Sequence, residues 1–198
     1  MVTFPPLAPS ATWFCNFFMA LQRGDEESQA FLYANSRLHS TRDFARFCIK
    51  SPLDEEMILS PAIEGGGRQL RTMCKIEGLN LSEHGDWRNR HLKALDACLG
   101  RKPFFPYLAS PLRQVYENTE LKTLQDFNLA IFRTLMTFLM GNLTYSQLEA
   151  FIPEEKILER GKEIWATMNP EISIFQSLAS YGRETLTAIL TSASEVVA

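Results

Sequence analysis

Residue types that bind anions or move protons crowd the stretch Leu81 to Tyr116, LSEHGDWRNRHLKALDACLGRKPFFPYLASPLRQVY. His91 has an imidazole that titrates near neutrality, which suits a general base or a substrate ligand. Trp87 and Leu95 stand four residues to either side of it, so a core histidine satisfied by the protein itself is the competing reading. His84 lies in a glycine-containing turn, open either to a substrate or simply to solvent. Arg88, Arg90 and Lys93 populate the first turns of a helix. A guanidinium fork there can grip phosphate or carboxylate, and a solvated basic face is the plainer alternative. Arg46 and Arg71 fall on expected strands, where an inward charge is costly unless something anionic meets it. A ligand bridging Arg46, Arg71 and Arg88 at the helix start, beside Trp87 and His84, is the site these residues suggest.

Other motifs point to ordinary packing. Gly65-Gly66-Gly67 lacks the Gly-Lys-Ser/Thr ending of a phosphate-binding loop and opens no helix, so it reads as a hairpin loop. His84 and His91, together with Glu83 and Asp86, could bind a metal but match no recognised zinc spacing, and no metal or cofactor is expected. Serine is plentiful, but there is no G-x-S-x-G elbow. The four cysteines, Cys15, Cys48, Cys74 and Cys98, form no CxxC pair and sit within apolar patterns. They read as buried free thiols in a reducing compartment, Cys98 as a packed thiol rather than a nucleophile.

The elements that must position these residues divide the chain. Met1–Ser10 is proline-rich and extended, and Trp13–Gln22 has helical periodicity. Strands are expected at Ala30–Tyr33, Phe44–Lys50, Met57–Ile63 and Leu70–Ile76, with Pro61 marking the end or edge of the third. Asp86 is placed to cap a helix from Trp87, Gly100 to end it, and Phe104-Phe105 to form an aromatic knuckle after Pro103. A long helix follows over Leu121–Met140, buried along Leu121, Leu124, Phe127, Ile131, Leu135 and Phe138, with Gly141-Asn142 as its stop. Further helices are expected over Glu154–Met168, Ile172–Ala179 and Arg183–Thr191. The fold class is therefore α+β. A small, mostly antiparallel sheet, strand-rich over residues 1–80, packs against a helical part over 81–198, all in one domain.

Composition narrows the function classes. Of 198 residues 45% are apolar and 22% charged, which rules out wholesale disorder. No apolar run approaches the roughly 20 residues that span a bilayer. TWFCNFFMAL is the nearest, and without a basic leader or cleavage signal it predicts a soluble, cytoplasmic protein with no membrane insertion. The net charge of −3 hides an asymmetry, because residues 37–102 hold 12 of the 20 Lys/Arg against 9 acids. That basic side suits an anionic small molecule and is too weak for nucleic acid.

HGDWRNRHLKAL, then PFFPYL, then VYE resembles the central motif of the WbqC-like family. Members carry a tryptophan–basic–histidine helix, a Pro-aromatic-Phe step, a polar patch and Tyr-Glu, and the spacing agrees without gaps. The closing NPEISIFQSLASYGRETLTAIL resembles that of the Bacteroidetes branch. Two departures stand out. The family's Arg-Asn-Arg near the second strand becomes Arg42-Asp43-Phe44-Ala45-Arg46, and the acids after the first strand become Ala34-Asn35-Ser36. The resemblance implies a role in surface-polysaccharide biosynthesis, O-antigen among its products. It points to transfer of an acyl or aminoacyl group to an anionic or nucleotide-activated sugar, with His91 as base and the arginines on the anion. The departures imply the rival class, a non-catalytic binding or scaffolding partner of glycan-biosynthesis enzymes.

Overall fold

The computed structural model describes residues 45–65, 79–141 and 172–189, with strand backbone also placed at 3–4 and 31–32. Two strand pairs occur in this part. β1 (Thr3–Phe4) runs parallel to β2 (Phe31–Leu32). β3 (Phe47–Lys50) and β4 (Glu56–Leu59) form an antiparallel hairpin in which Phe47 faces Leu59 and Ile49 faces Met57. The period of two in a strand turns Phe47, Ile49 and Leu59 into the core. The turn is closed by Ser51, whose hydroxyl accepts from the amides of Leu53 and Glu55, while Asp54 takes positive φ and pairs with Lys50. Pairing begins at Phe47 and stops at Leu59, shorter than expected at both ends, with Pro61 just beyond.

Three passages of chain then cross side by side. Ile63 bridges Leu81, and Asn80 bridges Thr123. The amides of Ser82 and Leu81 donate to the carbonyls of Ala62 and Lys122 at 2.8 and 2.7 Å. These bonds fix the entry to α1 (Trp87–Leu99), which follows a single 3-10 turn at His84–Asp86. Trp87, His91, Leu92, Leu95, Cys98 and Leu99 lie on its buried side, as the spacing predicts. The cap differs from expectation. Asp86 adopts a left-handed conformation and accepts from the Asn89 side chain at 2.6 Å instead of from a backbone amide. With its φ at 49°, the carboxylate is turned away from the first-turn N–H groups.

α2 (Phe105–Glu117) is a full helix where only an aromatic knuckle was expected. Pro106 sits in its first turn, where the missing N–H has no helical partner to lose. Pro111 removes one hydrogen bond inside, and the carbonyl it would have met, on Tyr107, belongs to a residue exposed to water. α3 (Leu124–Met140) is capped by the Thr123 hydroxyl on the Asp126 amide, three residues after the expected start. Its buried stripe keeps the expected Leu124, Phe127, Ile131 and Leu135 and adds Asn128 and Leu139, while Leu121, ahead of the helix, and Phe138 are half-buried. Gly141 closes it, and Arg183 donates to the Phe138 carbonyl at 3.0 Å. α4 (Ile174–Tyr181) begins at the Ser173 cap and ends at Gly182, after which residues 184–189 are again helical.

The result is α+β, with the β3–β4 hairpin laid on a helical layer. The Ser173 amide donates to the Cys48 carbonyl at 2.7 Å, and Phe175 packs edge-on against Phe47. No helix among the described residues is long and apolar enough to cross a membrane. The expected strand Leu70–Ile76 and the helices Trp13–Gln22 and Glu154–Met168 lie outside the described residues.

Candidate functional site

Trp87 anchors the cluster. Its indole N–H donates to the Ser82 carbonyl at 2.7 Å, and its rings meet His91, Tyr116 and Phe127 edge to face. Such contacts add about 0.5–1.5 kcal/mol each beyond the area buried. Tyr116, from the last turn of α2, also packs against Phe127 and His91, and Phe47 closes the hairpin side. The four aromatics come from four elements, so the cluster joins hairpin and helices.

His91 is the polar centre of this shell, 4% exposed. Its Nδ1 lies 3.3 Å from the Tyr116 hydroxyl. Burial lowers its pKa to about 4, the Ser60 backbone hydrogen bond pulling upward and the charge of Arg90 downward. The ring is therefore neutral at physiological pH. Burial pushes the Tyr116 hydroxyl well above its usual range, partly offset by Arg88, so it too stays neutral.

Arg88 is buried where a solvated basic face was the alternative. Its fork is shared among the carbonyls of Tyr116 and Leu121, both at 3.1 Å, and Asn118 at 3.4 Å. Glu83 pairs with it at 3.4 Å, and its guanidinium stacks 4.7 Å from the centre of the Trp87 ring. Those carbonyls end α2 and begin the turn into α3, so the guanidinium caps a helix C-terminus and favours it through the dipole.

The remaining candidates are placed differently. Arg46 is exposed immediately before β3, and its neighbour Phe47 reaches into the His91 shell. His84 is exposed in the turn leading to α1, its amide held by the Ser82 hydroxyl. Arg90 and Lys93 are also exposed, Arg90 lying back over Gly85. Arg71 is outside the described residues. Thus the structure gathers Trp87, Arg88 and His91 inside and leaves Arg46 and His84 on the surface. Tyr116 and Phe127 were missed as members of the cluster. Tyr116 stood in the VYE segment of the family motif, and Phe127 on the stripe of α3. Cys98 is a buried thiol whose pKa burial raises.

A buried tryptophan–basic–histidine helix tied to a Tyr-Glu helix end, under an antiparallel hairpin, is the class of protein this arrangement defines. Residues 13–180 match the WbqC-like protein family, and the chain belongs to it. Comparison with curated proteins and with solved structures gave no match.

Proposed function

We propose that this chain serves surface-polysaccharide biosynthesis as a non-catalytic binding or scaffolding partner of the glycan enzymes, recognising an anionic or nucleotide-activated sugar. One observation carries the reading: the two groups a transferase would need at the centre, Arg88 and His91, have their polar atoms engaged inside the protein. Exposed Arg46 and His84 then meet the anion, with Arg71, outside the described residues, a further candidate on sequence grounds, while Arg88 and Trp87 stay in the core. Departure of the chain from the family's Arg-Asn-Arg and acidic positions supports the same reading. So do Leu53, Met57 and Ile58, apolar residues that the hairpin presents to solvent, as surfaces that seat protein partners do.

A second reading is favoured by a different observation. His91 is held neutral, the form that accepts a proton, and its shell includes the residue next to exposed Arg46. In this reading the chain is a transferase moving an acyl or aminoacyl group to the sugar, and His91 takes a proton from the attacking amine or hydroxyl. As base, His91 would have to release Tyr116, leaving a buried hydroxyl without an acceptor.

Thermal melting against nucleotide sugars, acyl-CoAs and amino acids, with product analysis on the same mixtures, separates the readings. Binding without turnover supports the first. Product formation that is lost in His91→Gln supports the second.

A further inference from the structure

Tyr116 is fully buried, and a buried phenol needs an acceptor for its hydrogen. Among the described residues the acceptor within reach is Nδ1 of His91. A neutral imidazole has one donor nitrogen and one acceptor nitrogen. If Nδ1 accepts, the proton sits on Nε2. The same ring meets Phe47, the first residue of β3, edge to face with centroids 5.9 Å apart. Tyr116 itself is held at two points: His91 meets its hydroxyl, and Arg88 donates to its carbonyl at 3.1 Å. Arg88 and His91 are three residues apart on α1, so one helix face grips both ends of the tyrosine.

We propose that Tyr116, backed by Arg88, is a positioning residue: it donates to Nδ1 of His91, locks the Nε2–H tautomer, and so holds the ring against Phe47 of the hairpin. Arg46 directly precedes β3. The chain Arg88–Tyr116–His91–Phe47 therefore fastens the open end of the hairpin to the helical layer. That end of the hairpin carries exposed Arg46, and only in giving Arg46 a ligand does this rest on the function proposed above.

The test is the imidazole nitrogen spectrum of the full-length, nitrogen-15-labelled protein, with backbone amide exchange on the same sample. The wild type should show Nε2 protonated and Nδ1 as a hydrogen-bonded acceptor. Tyr116→Phe, which keeps the ring packing, should shift His91 toward a mixture of tautomers. It should also speed exchange of the β3–β4 amides about tenfold, the factor one lost hydrogen bond gives, without a like effect on α3. Nδ1 protonated in the wild type overturns the proposal without need of any variant. So does a Tyr116→Phe protein with unchanged tautomer. Since no ligand is used, this outcome is independent of whatever the chain binds.

Discussion

Arg88 and His91 show how a residue's partners, not its type, decide what it does. Both were candidates to touch a ligand, and both face inward. Truncating Arg88 to Ala strips the Tyr116 and Leu121 carbonyls of a charged donor, and should destabilise by about 3 kcal/mol in denaturant unfolding. Arg46→Ala, on the surface, should change stability by less than about 0.5 kcal/mol and abolish ligand-induced stabilisation. His91 gives a pH signature whose sign follows from its pKa, about 4 in the fold against 6.5 when unperturbed. Above pH 6.5 both folded and unfolded rings are neutral, and the full stability is present. As pH falls from 6.5 to 4 the unfolded chain binds a proton that the native one refuses. Stability is lost across that window, by about 3 kcal/mol in total. A His91→Gln protein should lack that part of the slope when unfolding is followed from pH 7 to 4.

At the scale of elements, local pattern and remote contact divide the legible from the illegible. α1 was readable because Trp87, His91, Leu92 and Leu95 recur at helical spacing within one short stretch. The hairpin strands and the Gly141 stop were readable for similarly local reasons. α2 was hidden by Pro103, Pro106 and Pro111, whose local preference against helix is outweighed by burial of Phe105, Leu108, Leu112 and Tyr116. No periodicity could separate buried Arg88 from exposed Arg90, because the carbonyls that claim Arg88 arrive from the end of another helix. The Asp86 cap failed for a backbone reason, a left-handed turn written by Gly85-Asp86 together. Gly182 offers a test at this scale. Its φ of 57° and ψ of −132° suit glycine alone, and an added Cβ would stand 2.7 Å from the Phe104 ring. Gly182→Ala should cost about 1–3 kcal/mol, read as a lower Tm, by prising the Pro-Phe-Phe step from α4.

For the whole molecule, the α+β architecture puts its aromatic shell where hairpin and helices meet. It leaves Arg46, Arg90, Lys93 and the apolar hairpin tip outside and keeps Arg88 within. Of the motif that resembles the family's, Trp87, Arg88, His91 and Tyr116 map onto one internally bonded cluster, while Glu117 stays exposed and pairs with Arg113. A core that joins hairpin to helices is what such a cluster provides, and the ligand surface we propose rests on residues outside it, Arg46 and His84. The most direct measurement of that claim is melting and product formation, together, for wild type, Arg46→Ala and His91→Gln with the panel of nucleotide sugars, acyl-CoAs and amino acids. The account predicts that one anionic class raises the Tm of the wild type, that Arg46→Ala loses the shift, and that His91→Gln, though less stable, retains it with no product from any of the three. Product made by the wild type and lost in a folded His91→Gln protein would contradict it.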